Sequence, residues 1–360
     1  MPATFSVVVP NYNHARYLPT ALDALLAQSR QPREIVVIDD ASTDGSREVI
    51  AGYAARHPVI RPIYRDQNRG VVAAMNEFLH AAENPYIYFA AADDRVLPGY
   101  FAALLGLLER HPGVAFCSAL TRIIDERGHD LGVFPTPLPI HDAGPITPRE
   151  AEGHLMREGS WVMGNTVIYR RAALLDEGGF RPELGGFCDG FAHLALALAH
   201  GACFVPRPLA CWRRLRGSVS DQTTGNAANT LAVIDIATRL MSEHPSHRFP
   251  PRLIHRLRNR WLFGSARVLL SRPNPTLADI LALFPAGHAL DKTILRALLA
   301  TPRLAAMYLF LRQRPFDAVT VPRRRLKHIP HPAPSRRDRA RGADGDSAAR
   351  AGGEMGIGRR

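Results

Sequence analysis

The first 98 residues alternate between short apolar runs and segments whose apolar residues recur at helical spacing. Four runs predict strands, and they lie at residues 5–9, 34–38, 59–64 and 86–89. The first is a continuous apolar run, which is typical of a strand buried on both faces. Pro10 is expected to end the first strand. The intervening pattern predicts helices at residues 18–26, 46–56, 71–82 and 99–110. Strand and helix thus alternate four times over about 95 residues, which predicts a parallel sheet with right-handed crossovers.

The pattern becomes less regular beyond residue 110. Apolar runs predict further strands at residues 114–117, 162–169, 202–206 and 209–213, with loops and hairpin strands over 118–147. A helix is expected near 190–200, and helical spacing returns at 226–243, 251–271, 276–284 and 291–312. Residues 322–360 have few large apolar side chains, which predicts disorder. We therefore expect an α/β domain over 1–220, a helical region over 221–321 and a disordered basic tail over 322–360.

The net charge of +12 is unevenly distributed over the 360 residues. The net charge is −5 over residues 1–210, +10 over 211–321 and +7 over 322–360. A basic region can bind anionic lipid, nucleic acid or an acidic polymer. No specific nucleic acid is expected, because the region lacks interleaved aromatic residues and a known motif. The predicted helices at 251–271 and 291–312 combine apolar faces with arginines, so they could lie on an anionic membrane surface or pack as an appendage.

Cysteine usage and hydropathy bear on the cellular compartment. The four cysteines show no CxxC and no metal-ligand spacing, which favours a reduced, cytoplasmic context. No apolar segment reaches about 18 residues, so no membrane span is predicted. The N-terminal apolar run has no basic region before it and is too short for a signal sequence. We expect a cytoplasmic protein, peripheral on the inner face of the plasma membrane if its basic region binds lipid.

Two adjacent carboxylates, Asp93 and Asp94, follow the predicted strand at 86–89. The carboxyl edge of an open α/β sheet is where ligands bind. Carboxylate oxygens at that edge suit Mg²⁺ or Mn²⁺, and such a metal suits a diphosphate. The alternative is that both acids only cap a helix beginning near Pro98.

Other polar residues follow the neighbouring predicted strands. Pro10, Tyr12 and Asn13 follow the first strand, where an aromatic ring can cover a flat base and an amide can bond its edge. Asp39 and Asp40 follow the second strand, and a carboxylate there can accept from a base N–H or a ribose hydroxyl. The alternatives are a simple turn and, for the acids, capping of the next helix, which fits Asp44 best.

A third loop reaches the same edge. Asn68, Arg69 and Gly70 form a predicted tight turn, in which Gly70 would allow close backbone approach. Asn76 lies roughly two turns along the helix that follows. Taken alone, this tripeptide indicates a turn.

Three stretches together resemble the family 2 glycosyltransferases, which are inverting enzymes of the nucleotide-sugar-binding α/β fold known as GT-A. They are SVVVPNYNHARYLPTALDALLAQSRQPREIVVIDDASTDGS, NRGVVAAMN leading into YIYFAAADD, and GNTVIYRRAALLDEGGF with GGFCDGF. The resemblance covers residues 5 to 215 and keeps the family's order and spacing. It implies a GT-A domain with a mainly parallel central sheet, of the type that acts in bacterial cell-surface polysaccharide or glycolipid synthesis.

The resemblance also implies roles for single residues. It implies that Asp40 binds the base, that Ala92 and Asp93 contact the nucleotide sugar, and that Asp94 and Asp93 hold the metal. The region of Asn68, Gly70 and Asn76 lies near the nucleotide in the family. Asp189 matches the general base, with a helix N-cap as the alternative reading. Arg213 and Arg214, followed by Ser218 and Ser220, match a basic loop that can close over the diphosphate.

The implied reaction is inverting transfer from a nucleotide-diphosphate sugar to a hydroxyl of a saccharide or lipid-linked acceptor. The chain departs from the family pattern at Ala91, which replaces an acid, and at Cys188 and Gly190 on either side of Asp189. These departures support an alternative, a nucleotide-sugar-binding protein whose catalysis has decayed. A nucleotidyltransferase is a further alternative, but PNYNHARY lacks the glycines of its phosphate loop.

Overall fold

The computed structural model describes residues 3–215, 227–271, 276–298 and 301–313. Within these residues, ten strands form one sheet: β1 (Phe5–Asn11), β2 (Glu34–Asp39), β3 (Ile60–Tyr64), β4 (Tyr86–Phe89), β5 (Arg95–Val96), β6 (Phe116–Ile124), β7 (Asp130–Val133), β8 (Gly144–Ile146), β9 (Ile168–Arg170) and β10 (Ala202–Arg213).

The same ranges contain twelve α-helices. Seven belong to the sheet domain: α1 (Leu18–Leu26), α2 (Ser46–Arg56), α3 (Val71–Ala81), α4 (Tyr100–Arg110), α5 (Pro148–Arg157), α6 (Arg171–Asp176) and α7 (Cys188–His200). Five follow it: α8 (Ala227–Ser242), α9 (Pro251–Leu270), α10 (Leu277–Ala282), α11 (Ala289–Leu298) and α12 (Pro302–Gln313). None of these described helices has the length and apolar content needed to cross a bilayer.

The strands lie in the order β3-β2-β1-β4-β9-β6-β10-β5, with β7 on β6 and β8 on β10. The pairs β3-β2, β2-β1, β1-β4 and β6-β10 are parallel, and the others are antiparallel. The predicted α/β fold is therefore confirmed, and its second half is mixed. The chain runs outward from β1 to β3 and returns to β4 on the other side of β1, which creates a switch point at the carboxyl ends of β1 and β4.

Alternating residues of β1 enter two separate cores. Val7 and Val9 pack with residues of α1, α2 and α4, whereas Val8 packs with residues of α3, α6 and α7. Helices therefore cover both faces of the sheet, and this is why the strand reads as a continuous apolar run.

The prediction that Pro10 ends β1 is wrong, because the strand continues to Asn11 and Pro10 pairs with Ile38 of β2. Alternate residues of a parallel strand bond to the same neighbour. The Val8 carbonyl accepts from Ala90 N–H on the β4 side, so Pro10 faces that side beyond the last residue of β4. Its missing N–H therefore removes no ladder bond.

Three other predicted elements differ. Only Ile168–Arg170 of the 162–169 run is a strand, because Thr166 bonds the Met163 carbonyl through both N–H and Oγ1 and forms a 3₁₀ turn at Gly164–Thr166. The two runs at 202–206 and 209–213 are one strand, β10, with irregular register around Pro208. The helix predicted at 291–312 is described as α11 and α12, and Pro302 begins the second.

The C-terminal helices are fixed to the sheet domain. Met241 of α8 and Leu253 of α9 belong to the same core as Val8, whereas α9 to α12 share a third core around Phe263. Buried Arg260 donates to the carbonyls of Leu155 (2.6 Å) and other residues at the end of α5, where a cation is favourable. The predicted boundary at 220/221 and the predicted disorder of 322–360 lie outside the described residues.

Candidate active site

The loops after β1 and β2 are bound to each other at the switch point. The Asn13 N–H donates to Ser42 Oγ (3.0 Å), and Asn13 Oδ1 accepts from Thr43 N–H (2.8 Å). The amide oxygen of Asn13 is therefore used within the protein. The Tyr12 ring beside it is 45% exposed, so it is open to a flat ligand. Pro10 lies within β1, two residues before Tyr12.

Asn11 is a polar residue of this edge that sequence reasoning missed. It is buried at the end of β1, and its Nδ2 donates to Asp39 Oδ2 (2.9 Å) and Ser42 Oγ (3.1 Å). Its only sequence signal is an amide directly after an apolar run. Asp39 also accepts from Ser42 N–H and Arg47 Nε, so this buried carboxylate organises the loop after β2.

Asp40 holds the third loop against the second. Its Oδ1 accepts from Arg65 Nη1 (3.0 Å) and Arg69 N–H (3.0 Å), and its Oδ2 accepts from Gly70 N–H (2.7 Å). Gly70 has φ +84°, a conformation that favours glycine, and Asn68 Oδ1 also accepts from its N–H (3.0 Å). Asp40, Asn68 and Gly70 are thus brought together at the expected edge.

Asn76 lies elsewhere. Its side-chain amide forms two hydrogen bonds with the backbone of Phe180. Asn76 Nδ2 donates to the Phe180 carbonyl (2.7 Å), and Asn76 Oδ1 accepts from the Phe180 N–H (2.9 Å). The contacts described for Asn76 hold the loop that leads to Asp189, not the loops that surround Tyr12.

Asp93 and Asp94 do not cap a helix, because β5 follows them and α4 begins only at Tyr100. The capping alternative is therefore wrong. Asp94 is buried, and its Oδ1 accepts from the backbone N–H of Arg213 (2.7 Å). Ala92 beside them is buried, and its small side chain leaves room for this packing.

Burial raises the pKa of Asp93 and raises that of Asp94 well above its usual value, and the neighbouring charge of Asp93 raises the pKa of Asp94 further. His14 and Arg213 oppose the rise in the pKa of Asp93, and hydrogen bonds from Arg213 and Asn165 oppose that of Asp94. Two desolvated like charges are an arrangement that a divalent cation relieves.

The two arginines of the predicted basic loop differ in environment. Arg213 is buried, and its guanidinium donates to the carbonyls of Asp93 (2.8 Å), Asp125 (2.9 Å) and Glu126 (3.1 Å). Arg214 has an exposed side chain, and its backbone N–H donates to the Ile124 carbonyl (3.0 Å). Ser218 and Ser220 lie outside the described residues.

Asp189 is in the first turn of α7 but is not its N-cap, which is Phe187. Its Oδ1 accepts from Gly190 N–H (2.7 Å), and its burial raises the pKa of the carboxyl group. Behind it lies a buried pair in which Tyr169 Oη contacts His193 Nε2 (2.5 Å).

The turn at Gly164–Thr166 connects the two groups of acids. A Cβ placed on Gly164 would lie 1.9 Å from Asp189 Oδ2, so the glycine backbone packs directly on that carboxylate. The next residue, Asn165, interacts with the Asp94 carboxylate and donates from Nδ2 to Thr121 Oγ1 (3.2 Å). Since consecutive Cα atoms are about 3.8 Å apart, Asp94 and Asp189 interact with adjacent residues of a single turn.

Asp93 and Asp94 fit a Mg²⁺ or Mn²⁺ ion. Magnesium takes one or two protein carboxylates and completes its shell with waters and phosphate oxygens. Among the described residues, no group of three or more His, Cys, Asp or Glu side chains is placed to hold a metal without such help. The donor set therefore suits a metal that binds together with a diphosphate.

The open α/β sheet, parallel in its first half and mixed in its second, is a GT-A-like fold. Residues 6–158 match the model of the family described as glycosyl transferase family 2. Asp189 lies beyond the matched residues.

Two curated proteins are similar to part of the chain. The uncharacterized protein Rv1520 of Mycobacterium tuberculosis is 32% identical over 212 residues, which are 58% of this chain and 58% of that protein. The uncharacterized glycosyltransferase YibD of Escherichia coli is 35% identical over 115 residues, 32% of this chain and 33% of that protein. The chain thus spans less than two thirds of either relative.

Two solved structures share the fold. TarS 1–349 of S. aureus, in complex with UDP-GlcNAc, matches with a TM-score of 0.58 at 19% identity and covers 88% of this chain and 92% of that chain. The mannosyltransferase PcManGT of Pyrobaculum calidifontis, in complex with GDP-Man and Mn²⁺, matches with a TM-score of 0.54 at 21% identity. The match covers 87% of this chain and 86% of that chain.

Proposed function

We propose that the protein is an inverting glycosyltransferase that moves a sugar from a nucleotide-diphosphate sugar to a hydroxyl of a saccharide or lipid-linked acceptor. The observation that carries this proposal is the turn at Gly164 and Asn165, whose adjacent residues contact Asp189 and Asp94. Asp94, which can bind a metal–diphosphate, and Asp189, which can act as a general base, therefore lie beside the same turn at the switch-point edge.

The donor nucleotide would bind across the three interlocked loops. The exposed ring of Tyr12 covers the base, and Asp40 keeps the loop at Asn68 and Gly70 in place while its Oδ2, with one hydrogen bond, can accept a second. Asp93 and Asp94 would hold Mg²⁺ or Mn²⁺ together with the diphosphate, and a bound metal supplies neutralisation of the leaving group's charge. The exposed side chain of Arg214 can contact the same phosphates.

Asp189 acts as the general base in this proposal. It accepts the proton of the acceptor hydroxyl as that oxygen bonds the anomeric carbon and the bond to the diphosphate breaks. One displacement from the opposite face inverts the anomeric configuration. A carboxyl whose pKa is raised by burial is a stronger base than an ordinary aspartate. The departures from the family pattern at Ala91 and Cys188 leave both Asp94 and Asp189 in place.

The fold relatives support the donor class. TarS was solved with UDP-GlcNAc and PcManGT with GDP-Man and Mn²⁺, so this fold accommodates nucleotide sugars and a divalent metal. We further propose, from the resemblance of the sequence motifs, a role in cell-surface polysaccharide or glycolipid synthesis on the cytoplasmic side of the membrane.

A panel of nucleotide sugars tests the proposal by thermal shift in the presence of Mn²⁺. A ligand at 100 times its dissociation constant should stabilise the protein by about 2.7 kcal/mol. The stabilising donor is then incubated with acceptors, and NMR of the product reads the anomeric configuration. Binding with neither transfer nor slow hydrolysis would favour the decayed-enzyme alternative, and retention of configuration would exclude single displacement.

We also propose that α12 contacts an anionic membrane surface. Ala305 and Leu309 of this helix are buried in the core around Phe263, whereas the opposite face exposes large apolar side chains at helical spacing. These side chains are Leu304, Met307, Phe310 and Leu311. The face belongs to a region of net charge +10, which is complementary to anionic lipid. The apolar face of α9 is buried, so the packed alternative holds for that helix.

A further inference from the structure

We propose that Gly164 and Asn165 are positioning residues that set the geometry between Asp94 and Asp189, Gly164 by seating the base and Asn165 by orienting the metal-binding acid. This proposal rests on the proposed function and adds two residues to it. Neither of the two was assigned a role from the sequence pattern.

The turn that carries these residues is rigidly held. The Asn165 carbonyl accepts from Tyr88 Oη (3.0 Å), and Thr166 Oγ1 accepts from Ala119 N–H (3.3 Å). Tyr88 is on β4 and Ala119 is on β6, so the turn is bound to two different strands. A support of this kind fixes the side chains that rest on it.

Gly164 seats Asp189 because no side chain fits at this position. The Cβ of an alanine would lie 1.9 Å from Oδ2 of Asp189, a distance that real Cβ contacts do not reach, and 3.1 Å from its Cγ, which is also tight. Alanine here would force the carboxylate away from its present position. Misplacing a reacting group by about 1 Å can reduce the rate about a hundredfold.

Asn165 acts on the other acid. Its Nδ2 donates to Thr121 Oγ1 (3.2 Å), and its side chain interacts with the Asp94 carboxylate and opposes the rise in the pKa of that acid. Its Oδ1 is buried with no hydrogen-bond partner among the described residues. A buried amide with an unsatisfied oxygen is unfavourable, so packing alone does not account for asparagine at this position. Orienting Asp94, which also accepts from Arg213 N–H, accounts for it.

Kinetics, binding and melting temperature on matched variants test the proposal. Gly164→Ala should lower kcat at least tenfold while leaving the affinity for UDP or GDP with Mn²⁺ unchanged. Asn165→Ala should weaken that affinity about tenfold but leave binding of uridine or guanosine unchanged. Gly52→Ala, in open space on α2, and Asn84→Ala, a buried amide at the far end of the sheet, should change neither quantity.

A stability cycle checks the contact independently of catalysis. Gly164→Ala should lower the melting temperature, and adding Asp189→Ala should restore part of the loss by removing the clash. Wild-type kcat in Gly164→Ala, or losses in Asn165→Ala that equal those in Asn84→Ala, would overturn the proposal. If the wild-type protein neither binds nor turns over any nucleotide sugar, the proposed function fails and this assignment fails with it.

Discussion

The backbone N–H of Arg213 donates to Asp94 Oδ1 at 2.7 Å, joining two residues 119 positions apart in the chain. The guanidinium of the same arginine donates to the Asp93 carbonyl and to two carbonyls of the β6–β7 turn. One residue at the end of β10 therefore fixes the segment that carries both acids. Arg213 and its neighbour Arg214, which share a residue type, should consequently have separable functions.

Alanine substitution should separate the two arginines. Arg213→Ala should lower stability by about 2–3 kcal/mol, because three carbonyls lose a charged donor in a buried environment. Arg214→Ala should leave the melting temperature unchanged and weaken binding of a nucleotide diphosphate, because its side chain is exposed at the same edge. Melting curves and calorimetric titration with UDP or GDP measure both effects. Equal melting temperatures for the two variants would contradict the scaffold role of Arg213.

Removal of the metal-binding acid should affect the diphosphate and spare the nucleoside. Transfer should require Mg²⁺ or Mn²⁺ and stop with chelator, and Asp94→Asn should weaken binding of a nucleotide diphosphate far more than binding of the nucleoside. Without metal the same variant should melt at an equal or higher temperature, because burial disfavours the Asp94 charge. Titrations with and without Mn²⁺ measure the difference. Full activity in excess chelator would remove the metal from the mechanism.

The parts of the site that lie close together in sequence could be predicted, and those joined by distant contacts could not. Tyr12, Asp40 and Gly70 follow three apolar runs, and parallel strands bring the ends of such runs to one edge. The role of Arg213 depends on partners in two distant segments, which no local pattern specifies. Its position beside Arg214 suggested a mobile phosphate-binding pair, whereas one of the two is buried.

The same limit explains the missed turn at Gly164. Residues 162–169 have the composition of a strand, but the hydroxyl of Thr166 bonds the carbonyl three residues earlier and ends the extended backbone. The need for glycine arises only when α7 brings Asp189 against it, 25 residues along the chain. The general outline of the sheet follows from local periodicity, whereas this contact follows from packing.

A charge on the exposed face of α12 should remove membrane binding without unfolding the protein. Met307→Glu places an anion on that face at a side chain that is 55% exposed, so stability should change by less than about 0.5 kcal/mol. Sedimentation with anionic liposomes at low salt should fall in this variant. Ser242→Glu, on the exposed end of α8, is the control for added charge and should sediment like wild type. Equal binding to neutral liposomes, or none by wild type, would count against a basic membrane-binding face.

Asp189 gives the sharpest test of the mechanism. Asp189→Asn keeps the size of the side chain and an oxygen that can accept from Gly190 N–H, so α7 should form as before. Transfer should nevertheless fall by at least about a hundredfold, which is the typical contribution of a general base. Affinity for the nucleotide diphosphate with metal should stay at the wild-type value, because Asp94 and Arg214 are unchanged. Wild-type turnover in this variant would falsify the assignment of the base.

The stability and the activity of the protein should depend on pH in opposite directions if Asp189 is a buried base. Burial raises the pKa of Asp189 in the folded protein above its value in the unfolded chain, so the folded state binds this proton more tightly. Stability from this group is therefore fully present below the unfolded pKa and is lost as the pH rises through the folded pKa. Asp189→Asn removes that loss, so its melting temperature at neutral pH should equal or exceed that of the wild-type protein.

The activity of the wild-type enzyme should change in the opposite direction, because only the ionised carboxylate accepts a proton. The value of kcat/KM should therefore fall as the pH is lowered through the raised pKa of Asp189. Melting curves and rate profiles over the same pH range would show these two opposed trends if Asp189 is a buried base, and a carboxylate with only a structural role would change stability alone.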